Sequence, residues 1–204
     1  MKKLLLLLFL MATPVQAQIL EIDREEYDIV FSTELMYPLS VKWETNRDDV
    51  TCENPVSRKD RFVADPLHPE QTNLSKDYVR SGLDRGHVSP AADNLCDGEA
   101  IMLESFYFTN MAPQYPGLNR GQWKSLEDYT RKLAEEHDTI RIEAGCVGEE
   151  RKVNRLSVPT HCWKIIEIVA TGEITGYVFP NVPEKTNFFL DHIVPLDSIA
   201  ALRK

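Results

Sequence analysis

The chain has 204 residues, with 23 basic and 32 acidic side chains and a net charge of −9. That length suits one domain with a full core, and that charge excludes a protein that passively coats nucleic acid, which would be basic. It does not exclude an enzyme, which needs only a local basic groove. Lys2 and Lys3 form a positive n-region, Leu4 to Met11 is an unbroken apolar run, and Val15-Gln16-Ala17 places small residues at a cleavage point. The pattern predicts a secretory signal peptide over residues 1–17 and a single domain over residues 18–204. Removing Lys2 and Lys3 leaves 21 basic against 32 acidic residues, a net charge of −11. No later stretch approaches the roughly eighteen apolar residues of a spanning helix. The mature chain is therefore expected to be soluble and exported, either periplasmic or extracellular, with no membrane contact after cleavage.

Tyr27 to Phe31 and Leu39 to Glu44 read as short strands. Thr45 to Asp60 reads as polar loop, and Arg61 to Asn73, with Pro66 and Pro69, as irregular surface chain. Ser105 to Thr109 is aromatic-rich and reads as a buried strand. From Leu118 or Asn119 to about His137 the pattern is helical: Trp123, Leu126, Thr130, Leu133 and Ala134 share one face, and Lys124, Asp128 and Lys132 oppose them. Glu127 and Arg131 stand at i, i+4 on the border of the apolar face. Asn119 and Glu127 are eight residues apart, about 12 Å along a helix axis, too far to bind one ion directly unless the helix starts late or a water intervenes. Thr139 to Val147, His161 to Ala170 and Ile174 to Phe179 read as further strands, and Asp197 to Leu202 as a final short helix. The fold expected is α+β with an antiparallel sheet core.

The four cysteines are Cys52, Cys96, Cys146 and Cys162. Export and an even count predict disulfides; zinc is the rival reading, though no C-x-x-C pair supports it. Pairing the two strands so that Ile140 faces Ile168 and Ile142 faces Ile166 sets Cys146 opposite Cys162 on the same side of the sheet. Cys52–Cys96 then follows by elimination.

The densest chemistry lies between Leu83 and Glu127. Asp84-Arg85-Gly86-His87 opens the stretch, Thr109-Asn110-Met111-Ala112-Pro113-Gln114 follows, and Leu118-Asn119-Arg120-Gly121-Gln122-Trp123-Lys124-Ser125-Leu126-Glu127 closes it. Three such runs in this order resemble the DNA/RNA non-specific endonucleases, the secreted ββα-metal nuclease family. Weaker similarity extends from about Tyr27 to about Leu190. The resemblance implies a single nuclease domain with a ββα-metal motif and a long catalytic helix. It also implies hydrolysis of phosphodiester bonds in both DNA and RNA, with one Mg²⁺ that Mn²⁺ replaces. The alternative is an inactive relative that serves as an exported nucleic-acid-binding protein. Oligomeric state is left open.

His87 is the candidate general base, since an imidazole accepts a proton at neutral pH, and the acidic limb of activity is expected to report a histidine. The same context names Arg85, Glu127, Arg131 and Arg58 as catalytic residues. In the family it resembles, the asparagine of L-N-x-G-x-W is the sole direct metal ligand, which assigns Asn119; the competing role is a helix cap. Glu127 is expected to reach the ion through water. Arg85 and Arg131 match a phosphate bidentately. Arg58, within R-x-x-x-F-x-x-D-P, looks like the family's upstream arginine, with Arg61 as competitor. Asn110 is placed with the substrate-binding residues, or else braces the histidine loop or the waters of the ion. Asp84 is expected to anchor the turn.

Overall fold

Apolar residues at every second position build the central sheet. In the computed structural model, which describes residues 18–185 and 188–204, the strands β1 (Ile19–Asp23), β2 (Tyr27–Ser32) and β3 (Tyr37–Thr45) form an antiparallel meander. The chain then passes through a short helix α1 (Arg47–Thr51), a strand β4 (Asp84–His87) and a second short helix α2 (Glu99–Glu104). Strand β5 (Met111–Gln114) pairs with β4, and the long helix α3 (Lys124–His137) follows. After it come β6 (Ile140–Val147), the small hairpin β7 (Arg151–Val153) and β8 (Leu156–Val158), then β9 (His161–Ile168), β10 (Glu173–Pro180), β11 (Ile193–Val194) and helix α4 (Leu196–Leu202). The large sheet has seven antiparallel strands in the order β1-β2-β3-β6-β9-β10-β11. The expected α+β class and antiparallel core are therefore observed. No described helix is long and apolar enough to cross a membrane. The expected signal peptide over residues 1–17 lies outside the described residues.

The inner face of the sheet is closed by α3. Trp123, Leu126, Leu133 and Ala134 pack with Ile29, Val41, Ile142 and Ile166 in one buried cluster. The helix face read from periodicity is the buried face. Helix α4 covers part of the outer face, where Ile199 is buried and Arg203 lies 4.5 Å from the Trp163 ring centroid and 2.9 Å from Glu143.

The expected register also holds. Ile140 faces Ile168, Arg141 faces Glu167, Ile142 faces Ile166 and Cys146 faces Cys162. Both disulfides, Cys146–Cys162 and Cys52–Cys96, are formed. Their sequence separations are 16 and 44 residues. Loop-closure entropy then predicts about 3 and about 4 kcal/mol of stabilisation respectively. Urea unfolding of Cys146→Ala/Cys162→Ala and of Cys52→Ala/Cys96→Ala should show losses of that size; an unchanged midpoint in either would contradict the estimate.

Three readings need correction. Strand β1 was not anticipated. Thr45 to Asp60 contains α1, whose start is held by Asn46 N–H donating to Asp49 Oδ2 at 2.6 Å. Ser105 to Thr109 is not a strand: α2 precedes it, and a 3₁₀ turn spans Phe108–Asn110. Phe106 and Phe108 belong to different buried clusters, so the segment must curl rather than run straight.

Candidate active site

The three sequence runs interlock through one glycine. In the β4–β5 pair, Gly86 faces Ala112 and His87 faces Met111. A Cβ at position 86 would lie 2.1 Å from Gln114 Oε1, so the glycine of D-R-G-H makes room for the glutamine that ends T-N-M-A-P-Q. The Trp123 indole Nε1–H, from the third run, donates to the His87 carbonyl at 3.0 Å. Together β4, β5 and α3 form a ββα unit. Upstream, buried Asp65 accepts from Arg24 and from the Thr109 hydroxyl, each at 2.6 Å, which ties the F-x-x-D-P segment to the second run.

These elements line a cleft of about 490 Å³ that contains Arg58, Arg85, His87, Asn119, Glu127 and Arg131. Six of the seven residues named as catalytic, substrate-binding or metal-binding thus converge. A second concavity of about 480 Å³ lies over the sheet near Arg141, which is already paired with Glu44 and Glu167, and it holds none of the motif residues.

His87 sits low in the cleft wall, 9% exposed. Its ring meets Phe106 edge-on at 4.8 Å and Phe62 at 5.5 Å. Nε2 is buried without a hydrogen-bond partner among the described residues. Burial first, then the Arg58 and Arg85 cations, push the imidazole well below its ordinary value, to about 3. Arg85 stacks on Phe62 at 4.0 Å and has no carboxylate partner among the described residues, so its donors remain available for a phosphate. Arg58 lies 5.3 Å from the Phe106 ring centroid and pairs with Asp60 at 2.8 Å. Arg61 does not line the cleft, which favours Arg58 over its competitor.

Asn119 stands in a π-helical turn, Leu118–Trp123, whose backbone breaks at Gly121. Regular α-helix begins only at Lys124, so the 12 Å separation of a straight helix from Asn119 to Glu127 does not apply. Asn119 Nδ2 donates to Asp84 Oδ2 at 2.9 Å, and Arg120 clamps the same carboxylate at 2.6 and 2.7 Å. Asp84 was expected to anchor a turn in its own run; that run is strand β4, and Asp84 instead anchors the Asn119 amide. It leaves Asn119 Oδ1, with no donor among the described residues, as the oxygen open to a cation. No cluster of three or more His, Cys, Asp or Glu able to hold a metal exists among the described residues. The donors present fit a hard cation that takes one protein oxygen and keeps most of its waters, as Mg²⁺ does.

Of the two roles expected of Asn110, its contacts match the bracing of the histidine loop, and Arg131 takes partners other than Glu127. Asn110 is fully buried: Oδ1 accepts from the Ser89 N–H, and Nδ2 donates to the carbonyls of Ser89 and Ser105. Its amide is used up bracing the histidine loop, so it leaves the substrate-binding set. Arg131 does not form its ion pair with Glu127. It bonds to Asp93 at 2.9 Å and to Asp128, which also receives Lys124. Asp93 in turn accepts from Trp43 Nε1 and Thr45, fixing Arg131 to the sheet.

Lys164 was missed altogether. It is 1% exposed on β9, with Nζ 4.4 Å from the Trp123 ring centroid and 5.3 Å from that of Trp43. Burial lowers its pKa, while Glu127 and Asp93 oppose that. Glu127 is raised by burial, with Lys164 opposing. Glu127 and Arg131 in the cleft lining, with Asp93, Asp128 and the buried Lys164, thus form one mutually opposing charge cluster. The signal was legible: position 164 has the same strand parity as Cys162, Ile166 and Ile168, so its side chain had to face the core.

The sequence profile of the DNA/RNA non-specific endonuclease family matches residues 8–203. The chain is 33% identical to mitochondrial endonuclease G of Homo sapiens over 153 residues, covering 66% of this chain and 51% of that protein. It is 29% identical to the mitochondrial nuclease of Saccharomyces cerevisiae over 204 residues, covering 87% of this chain and 62% of that one. It spans about half to two-thirds of the length of these relatives. A solved EndoG/EndoGI complex has 27% identity and a TM-score of 0.80, over 90% of this chain and 83% of that one. The expectation of export is overturned by these names, since the endonuclease G proteins of Bos taurus and Homo sapiens and the two yeast nucleases are all named as mitochondrial rather than exported. With a profile that spans nearly the whole chain, and with its first and third motifs meeting in one cleft that the second motif backs through the β4–β5 pair, the chain belongs to the DNA/RNA non-specific endonuclease family.

Proposed function

We propose that the protein is a metal-dependent endonuclease that hydrolyses phosphodiester bonds in DNA and RNA. The observation that carries this reading is the pairing, in one arginine-lined cleft, of a buried imidazole with an unpartnered nitrogen and an amide whose oxygen is left open. A passive binder has no use for either. Arg85, helped by Arg58, holds the scissile phosphate. His87 takes the proton of the attacking water. Arg131, held by Asp93, presents a fixed positive charge to the phosphate. Asn119 would hold Mg²⁺ or Mn²⁺, with Glu127 reaching the ion through water, and the bound ion would supply Lewis-acid stabilisation of the leaving 3′ oxygen. Every group named addresses phosphate or water rather than a base edge, so little sequence is read. Plasmid DNA and RNA should both be degraded, and EDTA should abolish both reactions. Strict rejection of RNA, or full activity in EDTA, would contradict the proposal.

The burial of His87 changes the expected pH behaviour. A histidine held at about 3 stays neutral across the physiological range, so the acidic limb of activity should not be centred on the ordinary value near 6.5. An anion between Arg58 and Arg85 offsets the two cations that depress the imidazole, and so makes it a better base once substrate is bound. The stability sign follows: below about 6.5 the unfolded chain takes this proton and the folded chain does not, so acid favours unfolding. NMR titration of the metal-free protein should show no charge change on His87 between about pH 5 and 8. A titration near 6.5 would place the ring in solvent instead.

A further inference from the structure

We propose that a depression beside the cleft receives the nucleobase of the nucleotide adjoining the scissile phosphate. The proposal rests on the nuclease reading above. The depression is about 200 Å³, with walls from Ser75, Tyr78, Val79 and Leu83, and it shares Asp84 and Arg85 with the cleft. A phosphate bound to Arg85 therefore lies beside the second cavity, and one of the two nucleosides that it joins comes within reach of the mouth.

The walls suit an aromatic ring. Val79 is 62% exposed, among the most exposed apolar side chains of the protein, while Tyr78 and Leu83 are buried behind it. One exposed apolar side chain is ordinary by itself; this one also borders the phosphate cleft on a fixed stretch of backbone. Val79 is so held. It follows the 3₁₀ turn Ser75–Tyr78, and the next residues take left-handed backbone at Arg80 (φ 58°) and Gly82 (φ 76°). An arginine in that conformation is costly and concentrates at functional turns. Tyr78 is backed by Phe108, stacked at 5.9 Å, so the wall is rigid. Lys76 and Arg80, both exposed, flank Val79 and complement the charge of a continuing strand. The walls are largely apolar, so contact with a base here is tolerant of its identity.

The test uses deoxythymidine 3′,5′-bisphosphate and the same sugar bisphosphate without its base, titrated calorimetrically into the full chain. Wild type should bind the nucleotide on the order of tenfold more tightly than the base-free compound, the size of one base contact. Val79→Asn, polar but uncharged and at an exposed position, should abolish that preference while leaving base-free binding unchanged. Arg85→Ala should weaken both ligands. Equal affinities in wild type, or a preference that survives Val79→Asn, would overturn the proposal. The readout needs no turnover: absence of plasmid cleavage would refute the nuclease reading alone.

Discussion

His87→Ala should lower turnover by about 10²- to 10⁴-fold, the range lost with a general base, and leave divalent-cation binding intact. Nothing in the geometry connects the imidazole to a cation. Asp84, at the start of β4, is joined to Asn119 of the π turn by the 2.9 Å hydrogen bond, and His87 stands at the other end of that strand. His87 Nε2 instead sits among Phe62 and Phe106 without a partner. Because the buried ring is packed against Phe62 and Phe106, truncation also leaves a cavity, so rates are compared at a temperature at which both proteins are fully folded. Single-turnover rates at saturating cation would check this. A loss below about tenfold, less than a general base supplies, would remove His87 from the proton-transfer role.

Asn119→Ala should also cost turnover, but by a different route. Loss of the one amide oxygen that Asp84 leaves open should weaken cation affinity by more than the roughly 10- to 100-fold caused by disturbing outer-shell partners. Excess Mg²⁺ should then restore part of the rate. Asn119→Asp keeps an oxygen and adds charge, so it should hold cations more tightly. The same change places a second carboxylate against Asp84, which now accepts from the Asn119 amide. The like charges should displace Asp84 from its Arg120 clamp and leave the variant slow. Initial rates over a Mg²⁺ series separate these effects. If no concentration of Mg²⁺ rescues Asn119→Ala, the residue serves only to hold Asp84 and binds no ion.

Much of this site was legible because strict periodicities govern it. The buried face of α3 and the β6–β9 register follow from spacings of 3.6 and 2, and Cys146 opposite Cys162 follows from the register. Lys164 was legible on the same rule and was overlooked because lysine is ordinarily exposed. Other features depend on contacts far apart in sequence. Arg131 prefers Asp93, 38 residues earlier, to Glu127 one turn away, because Asp93 is already fixed by Trp43 and Thr45. The run from Ser105 to Asn110 curls because the Asn110 amide gathers carbonyls from Ser89 and Ser105. Aromatic content alone suggested a strand there. The π turn that carries Asn119 breaks at Gly121, and a helical wheel has no means of showing it.

The division of labour between base and ligand is the core of the account. Calorimetric titration of Mn²⁺ into wild type, His87→Ala and Asn119→Ala tests it most directly. Binding should be retained in His87→Ala and severely weakened in Asn119→Ala. If His87→Ala abolishes binding and Asn119→Ala preserves it, the roles are reversed, and the centre is a histidine-ligated one suited to a transition metal rather than to Mg²⁺.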